Sequence, residues 1–332
     1  MKAISIATLM LSVGVAAAAF AAAPAYKIVD RIKVQDGGFD YATFDPATSQ
    51  VLMARPNFTT TIDVKSGKVG EIKSAARGHI ALPIPGTSLL VVTQRAGNIL
   101  VVDGKTDKVE ATLKGGKNPD GAAYDPATKL VFAMNHDSGD STIVDPVAKK
   151  VVGTIPIGGD LEFPVADGKG KVFVNVEDKN QIGVIDTKTK KVLTRYTLKD
   201  CDGPTGQAYD AADGYLISAG DGTAKILKAD TGAEVASLKI ANQPDAVIFD
   251  AQRKLAFIPC RTPGVLEVIS LANPAKPEVV QHLQTQLGTR TGTIDPATGK
   301  IYMMAAKFGA PATAGGRPQA LESTYDVLVV SP

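Results

Sequence analysis

The stretch Tyr124–Met134 reads YDPATKLVFAM and places an Asp-Pro turn between two apolar segments. Asp-Pro followed by small polar residues is typical of a turn, and the apolar run after it is typical of a buried strand. Similar stretches begin at Phe44, Val165, Tyr209, Phe249 and Ile294. Their turn aspartates are spaced 80, 42, 43, 40 and 45 residues apart, and they are Asp45, Asp125, Asp167, Asp210, Asp250 and Asp295. A seventh copy, IPGTSLLVV from Ile84, falls in the middle of the double gap.

A second strand–turn–strand element follows each copy and has the same period. Its turn aspartates are spaced 40, 42, 41 and 44 residues apart, and they are Asp63, Asp103, Asp145, Asp186 and Asp230. Four short strands per repeat of about 40 residues are typical of a propeller blade, and no window shows sustained helical periodicity. We therefore predict an all-β fold, a seven-bladed β-propeller of four-stranded blades.

The two ends of the repeat region predict how the ring closes. YKIVDRIKV from Tyr26 matches a fourth strand, whereas TYDVLVVSP from Thr324 matches a third strand. We expect the N-terminal segment to supply the fourth strand of blade 7, because this removes the exposed sheet edges. A linear solenoid is the alternative, but it would not need the missing strand replaced. The Gly-, Ala- and Pro-rich residues 307–323 are predicted to form a loop insertion in blade 7, either a surface excursion or a flap over one face.

Residues 1–25 have the features of a secretory signal peptide. Lys2 precedes an Ala-rich apolar run that ends in the small-residue pattern Ala23-Pro24-Ala25. An uncleaved anchor is the alternative, because the run is long enough to span a bilayer. We predict export with cleavage, which leaves a periplasmic or secreted propeller over residues 26–332 with no membrane span. In an oxidising compartment Cys201 and Cys260 could form a disulfide, and two buried free thiols are the alternative.

The composition argues against several classes of function. Lys and Arg total 36 against 34 Asp and Glu, so the chain is nearly neutral and a dedicated nucleic-acid binder is not expected. With three His and two Cys, the chain cannot supply a multi-copper or iron–sulfur centre, and we predict no resident cofactor. The sequence also lacks a Gly-rich phosphate loop, a Ser nucleophile elbow and a CxxCH haem motif.

The candidate binding residues lie in loops that a propeller brings to one face. Loops from a fourth strand to the next first strand, and from a second to a third strand, emerge together around the central channel, so side chains about 40 positions apart converge there. These residues are Arg55, His79, Arg95, Asp120, His136, Glu162, Asp245, Arg261 and Arg290. The arginines could each hold a carboxylate or phosphate, or pair with acidic residues of neighbouring blades. His79, His136 and Glu162 could bind a metal ion or act as base and acid, but they carry no local ligand motif and no metal site is predicted.

The strand pattern resembles a known family. VFAMN at Val131 and VFVNV at Val172 are each followed by an apolar-Ile/Val-Asp segment and look like the YVTN-type β-propeller repeat. The insertion FGAP…GGRP, which leads into DVLVV, is similar to exported bacterial members called YncE-like. The resemblance covers residues 26–332, although the name-giving tetrapeptide is nowhere intact. It implies a seven-bladed exported propeller with a ligand or partner site on one face, and it implies no general chemistry.

Three functions stand as hypotheses. The favoured one is an exported, non-catalytic propeller that binds a small anionic ligand, a peptide or a partner protein on one face of the ring. The first alternative is a lactonase- or lyase-type enzyme that uses His79 or His136 with Glu162 as acid and base and an arginine as anion clamp. The second is single-stranded nucleic-acid binding, which would need a basic groove with stacking aromatic residues.

Overall fold

The computed structural model describes residues 25–310 and 319–332, so the predicted signal peptide lies outside the described residues except for Ala25. Within these ranges the chain forms 29 strands and two single-turn 3-10 helices, η1 (Lys73–Ala75) and η2 (Glu177–Lys179). The strands pair antiparallel in seven sheets, which confirms the predicted seven-bladed β-propeller. No helix in the described ranges has the length and apolar character needed to cross a membrane.

Each blade is built in chain order from its innermost strand outward, and strand β1 (Lys27–Lys33) belongs to the last blade. Blade 1 comprises β2 (Ala42–Asp45), β3 (Gln50–Ala54), β4 (Thr59–Asp63) and β5 (Val69–Ile72). Blade 2 comprises β6 (Gly78–Pro83), β7 (Leu89–Gln94), β8 (Asn98–Asp103) and β9 (Lys108–Lys114). Blade 3 comprises β10 (Pro119–Asp125), β11 (Leu130–Asn135), β12 (Asp140–Asp145) and β13 (Lys150–Pro156). Blade 4 comprises β14 (Leu161–Ala166), β15 (Lys171–Val176), β16 (Gln181–Asp186) and β17 (Lys191–Thr197).

The remaining three blades follow the same plan. Blade 5 comprises β18 (Asp202–Asp210), β19 (Tyr215–Asp221), β20 (Thr223–Lys228) and β21 (Glu234–Lys239). In blade 6 the innermost strand is broken into two pieces, and the blade comprises β22 (Asn242–Pro244), β23 (Ile248–Asp250), β24 (Leu255–Thr262), β25 (Val265–Ser270) and β26 (Glu278–Gln284). Blade 7 comprises β27 (Gly292–Asp295), β28 (Lys300–Ala305), β29 (Asp326–Ser331) and β1.

Strand β1 closes the ring in the predicted manner. It pairs antiparallel with β29, with Lys27 opposite Ser331 and Lys33 opposite Asp326. Tyr26, which precedes β1, is 2% exposed, and its ring packs edge-on against Phe257 of blade 6. The segment from Tyr26 to Lys33 is therefore held by contacts with both of the last two blades.

The recurring aspartates end the innermost strands because their carboxylates hold the next turn. Oδ1 of Asp45 accepts the backbone N–H of Ala47 at 2.9 Å, and Oδ1 of Asp295 accepts that of Ala297 at 3.0 Å. An aspartate that bonds the backbone two residues further on stabilises a tight turn. The sequence period is therefore a period of turns on the face opposite to the candidate site.

The hydrophobic core lies between neighbouring blades. One cluster, for example, joins Phe132 and Ile143 of blade 3 to Val172 and Val174 of blade 4. Since the inner strands are packed on both sides, their ends are held in fixed positions around the channel. This packing allows loops from different blades to build one site.

The two cysteines are buried free thiols, which is the second of the two alternatives that the sequence left open. Cys201 packs with Leu198 and Leu216 in a cluster between blades 4 and 5. Cys260 belongs to a separate cluster, which joins blades 5 and 6. The two thiols lie in different inter-blade layers, although they approach the same face of the ring.

The insertion at 307–323 lies between β28 and β29, and its central residues 311–318 lie outside the described residues. Its two described ends pair with each other, because Phe308 bridges Ala320 and the backbone N–H of Leu321 donates to the carbonyl of Lys307 at 2.8 Å. The Ser323 N–H also donates to the Asp36 carboxylate, at 2.8 Å for Oδ2. These contacts hold the base of the insertion against the segment that leads into blade 1.

Candidate functional site

A ring of polar side chains surrounds one mouth of the central channel. The residues of this inner ring lie at or just before the innermost strands of blades 1, 2, 3, 4, 6 and 7, and they are Asp40, His79, Asp120, Glu162, Asp245 and Arg290. His79 Nδ1 lies 2.6 Å from Asp40 Oδ2 and 3.4 Å from Asp120 Oδ1. Asp40 is not among the candidate residues proposed from the sequence, although it occupies the same kind of loop as Asp120.

His136 lies just outside the inner ring, directly after β11. Its Nε2 is 3.4 Å from Glu162 Oε1 and 3.7 Å from Glu177 Oε2, and its Nδ1 is 2.7 Å from Asp137 Oδ1. Glu177 opens η2 after β15, so it occupies the same second-to-third-strand junction in blade 4 as His136 does in blade 3. That equivalence is the sequence signal that could have identified Glu177.

Asn118 connects the two histidines. Its Oδ1 is 3.2 Å from His79 Nε2, and its Nδ2 donates to Asp137 Oδ1 at 2.9 Å. The backbone of Asn118 has a φ of 54°, a left-handed conformation that Asn tolerates better than most residues. A continuous hydrogen-bonded chain therefore runs from Asp40 through His79, Asn118 and Asp137 to His136.

Burial and like charges keep protons on the inner ring. Burial raises the pKa of Glu162 to about 9, and the Asp120 and Asp245 carboxylates add to the shift. Burial likewise raises the pKa of Asp120 to about 7, against the opposing effect of His79. The pKa of Asp245 is also raised by burial, although Arg290 opposes the shift. The ring therefore holds several carboxyl groups that bind protons more tightly than free carboxyl groups do.

Both histidines have pKa values above the ordinary one. The Glu177 carboxylate is the largest cause that raises the pKa of His136, to about 10, and it acts with Asp137 against the effect of burial. For His79, burial lowers the pKa, but Asp40 and Asp120 outweigh it and the net direction is upward. The His136 imidazole is therefore positively charged at neutral pH, and His79 binds its proton more tightly than a free imidazole does. Strongly shifted groups concentrated in one place are typical of functional sites.

Arg55 is buried, and its guanidinium is bonded to other parts of the protein. The residue is 1% exposed, and its guanidinium lies against the rings of Phe58 and Tyr325. Its N–H groups donate to four protein oxygens at 2.6 to 3.1 Å, namely the carbonyls of Gln35, Gly37 and Gly38 and the hydroxyl of Thr60. Its hydrogen-bond donors are therefore occupied by protein oxygens, and its predicted role in anion binding stays a prediction.

Two other predicted arginines lie next to acidic groups. Arg290 Nε is 2.5 Å from Asp245 Oδ2 across the boundary between blades 6 and 7, which is the ion-pair alternative expected for these arginines. Arg261 lowers the pKa of Asp245, and it lines a cavity of about 390 Å³ together with Glu177 and Asp202. This part of the face is predominantly acidic.

A second cavity, of about 520 Å³, lies between blades 1 and 2 beside the inner ring. Its apolar wall includes Phe39, Pro56 and Ala96, and the exposed Arg77 and Arg95 border it. Small-molecule sites typically have volumes of about 300–1,000 Å³ and mostly apolar walls with a few polar groups. A cavity of about 530 Å³ on the opposite face, between blades 4 and 5, is lined by none of the candidate residues.

The structure divides the predicted histidine–carboxylate group into two. Among the described residues, one set of possible metal ligands is Asp40, His79 and Asp120, and the other is His136, Glu162 and Glu177. Within each set the ligand atoms lie within 4.8 Å of one another. Of the two histidines considered as partners of Glu162, His136 therefore shares its set and His79 does not.

Comparisons with known proteins identify the fold. No family model and no curated protein matches this sequence. The structure is similar to a chain of the mitotic checkpoint complex, with a TM-score of 0.73, 12% identity, and 100% of this chain and 98% of that chain covered. It is also similar to the WD40 repeats of RRP9, with a TM-score of 0.75, 11% identity, and 93% and 99% covered. A Kuenenia stuttgartiensis hydrazine synthase chain matches with a TM-score of 0.69, 17% identity, and 87% and 97% covered.

These identities are too low to transfer a function, and 1704 solved chains match the same architecture. A fold that is shared so widely hosts many unrelated functions. The comparisons thus show that the chain has the β-propeller fold. Its assignment to the YVTN-type, YncE-like family stays a prediction.

Proposed function

We propose that this protein is an exported, non-catalytic β-propeller that binds a small organic anion, or an acidic group of a peptide or partner protein, in the cavity between blades 1 and 2. The observation that carries the proposal is the lining of this cavity, where two exposed guanidinium groups border an apolar wall. Export to the periplasm or the medium is proposed with it, from the signal-peptide features of residues 1–25.

The charges around the cavity favour an anion. Arg77 and Arg95 lie at its border, His79 is part of its lining, and Asp40 is the acidic residue in the lining. A guanidinium can bind a carboxylate or phosphate through two parallel hydrogen bonds. The carbon skeleton of the ligand would pack on Phe39 and Pro56, with about 25 cal/mol gained per Å² of apolar surface removed from water.

The backbone of Arg77 is fixed at the cavity border. Its N–H donates to the carbonyl of Pro56 at 3.0 Å, and its φ is 57°, a left-handed conformation that eleven other described non-glycine residues share. The long cationic side chain therefore starts from a fixed point beside the apolar wall.

The proposal is tested with the mature protein and a panel of aromatic and aliphatic carboxylates and phosphate esters, using calorimetric titration. At least one probe is expected to bind, and Arg95→Ala and Arg77→Gly should each weaken it at least tenfold. The Gly variant suits the left-handed backbone, so it removes the charge without adding strain. Lys105→Ala, an exposed cation in a turn on the opposite face, is the matched control and should bind like the wild type. Equal binding by all four proteins, or no binding of any probe, would overturn the proposal.

A lactonase- or lyase-type activity is a second candidate, because the structure does bring His136 and Glu162 within 3.4 Å. Glu162 keeps its proton at neutral pH, as a general acid requires. Turnover of a lactone panel by the wild type and its loss in His136→Gln, at an unchanged melting temperature, would favour this candidate. The acidic inner ring gives no support to single-stranded nucleic-acid binding, which needs a basic groove.

A further inference from the structure

Three potential metal-ligand atoms converge between blades 3 and 4, outside the cavity of the proposed function. They are Nε2 of His136, Oε1 of Glu162 and Oε2 of Glu177, and they all lie within 4.8 Å of one another. Glu162 is only 8% exposed, and its Oε1 faces His136 Nε2 at 3.4 Å, beyond the usual hydrogen-bond range. The imidazole and the Glu177 carboxylate are 3.7 Å apart, which is longer still. These groups approach one another without forming close hydrogen bonds.

The spacing suits an ion between them. In a tetrahedral site with metal–ligand bonds of about 2.0–2.2 Å, the ligand atoms lie about 3.3–3.6 Å apart. The separations of 3.4 and 3.7 Å from His136 Nε2 therefore match the edges of such a tetrahedron closely. Binding would displace the protons of His136 and Glu162 into solvent, and the resulting two carboxylates and neutral imidazole balance the charge of a divalent cation.

Neighbouring residues orient two of the three ligands. Asp137 Oδ1 lies 2.7 Å from His136 Nδ1 and is itself held by Asn118, so Nε2 is left to face the two glutamates. Such a carboxylate behind a histidine is the usual outer support of a metal-bound imidazole. Tyr41 donates to the other oxygen of Glu162, Oε2, at 3.0 Å, which turns Oε1 toward His136.

The neighbouring set is a poorer site. Both ring nitrogens of His79 already have close partners, because Nδ1 lies 2.6 Å from Asp40 and Nε2 lies 3.2 Å from Asn118 Oδ1. A metal ion there would have to displace one of them. The His136 side chain is 23% exposed and that of Glu177 is 39% exposed, so an ion held by them can be reached from solvent.

We propose that His136, Glu162 and Glu177 form a binding site for one divalent transition-metal ion of the Zn²⁺ type, with Asp137 as a positioning residue and with a coordination position open to solvent. Imidazole and carboxylate donors suit Zn²⁺ and neighbouring first-row metals. The proposal departs from the sequence-based expectation of no metal. It is independent of the proposed anion cavity, because none of the three ligands lines that cavity.

The test is a calorimetric titration of the chelator-treated mature protein with Zn²⁺, with the absorption spectrum of bound Co²⁺ as a second readout. One Zn²⁺ per chain is expected. Glu177→Gln and His136→Gln should each raise the Kd at least 100-fold, and Asp137→Asn should raise it about 10- to 100-fold. Glu177 is partly exposed at the start of a single-turn helix, so its variant should fold even if a His136 variant does not.

His282→Gln is the matched control, because it removes a histidine that also lies 2.5 Å from a carboxylate, that of Glu267, but on the outer strand of blade 6. It should bind Zn²⁺ like the wild type, and His79→Gln should weaken binding less than Glu177→Gln does. Absence of Zn²⁺ binding by the wild type would overturn the proposal. So would binding that Glu177→Gln leaves unchanged while His79→Gln or His282→Gln abolishes it.

Discussion

Tyr41 of blade 1 donates a hydrogen bond to Glu162 of blade 4, with 3.0 Å between the phenolic oxygen and Oε2. The two residues are 121 positions apart, and they are 3% and 8% exposed. Their blades are not neighbours in the ring, so the bond connects two parts of the channel mouth directly. It also holds the one glutamate of the site that is almost fully buried.

Tyr41→Phe is expected to lower the free energy of unfolding by about 1–3 kcal/mol, because Glu162 loses a donor in a buried place. Urea denaturation monitored by circular dichroism measures this change. Tyr209→Phe, a ring that stacks on Phe173 away from the channel mouth, is the control and should cost clearly less. An equal loss in the free energy of unfolding of the two variants would show that the hydrogen bond to Glu162 does not contribute to stability.

Arg55→Lys should lower the free energy of unfolding by more than about 2 kcal/mol, even though it keeps the positive charge. A lysine ammonium cannot reproduce the planar fork that serves four oxygens between Gln35 and Thr60. Arg95→Lys, at an exposed position, is expected to change stability by no more than about 0.5 kcal/mol. Chemical denaturation measures the free energy of unfolding of both variants. A similar loss in Arg55→Lys and Arg95→Lys would contradict the structural role of Arg55.

The pH dependence of stability should change in Asp120→Asn. Asp120 faces His79, Asp40, Asp245 and His136, and its pKa is raised from 3.8 to about 7, mainly by burial. Between these two pKa values the native state therefore binds more protons than the unfolded state. The contribution of Asp120 to stability falls as the pH rises through this range. Relative to the wild type, the variant should gain stability between about pH 4 and pH 8.

This effect is measured by denaturation at several pH values with chelator present. Asp63→Asn is the control, because hydrogen bonds from the backbone N–H and hydroxyl of Ser66 lower the pKa of Asp63. Stability conferred by a lowered pKa is present above the unfolded value and is lost as the pH falls, so this variant should show the opposite trend. A pH-independent difference for Asp120→Asn would contradict the assignment.

Both thiols should be inert in the folded protein. Burial raises the pKa of Cys201 to about 11 and that of Cys260 to about 12, and the thiolate is the reactive form. A thiol reagent at pH 8 is expected to label neither cysteine in the native protein and both after unfolding. Mass spectrometry of the untreated protein should show two free thiols, and a mass lower by two hydrogens would reveal a disulfide instead.

Removal of residues 26–33 should abolish cooperative folding or cause aggregation. The deletion exposes the edge of β29, which β1 covers along its length, and it removes the buried Tyr26. Exposed strand edges promote association between chains. Val29→Thr, an exposed position on the same strand, is the control and should leave the melting temperature nearly unchanged. A deletion variant that melts cooperatively as a monomer would show that the strand is dispensable.

The architecture was predictable because its signals are local and repeated. Asp45 and Asp295 hold the same turn in two different blades, and each does so through a backbone N–H only two residues away. The closure by β1 was predictable because one strand pattern was missing at one end of the repeat and present at the other. The convergence of His136 and Glu162 followed from the same geometry.

Other parts of the site could not be predicted in this way. Tyr41 resembles a core residue in the sequence, and only its contact with Glu162 shows its second role. Arg55 and Arg95 occupy equivalent junctions in blades 1 and 2, yet one is buried against backbone carbonyls and the other is exposed. Burial depends on neighbours from other parts of the chain, and no local pattern distinguishes the two arginines.

The sequence by itself determined the number of blades, the turn residues and the strand that closes the ring, because strand alternation and turn chemistry act over a few residues. The tertiary structure decided which side chains share a site. It separated His79 from His136, joined Glu177 to Glu162 and kept Cys201 apart from Cys260. These outcomes depend on the direction of each side chain and on packing between blades, which are fixed only when segments far apart in the chain come together.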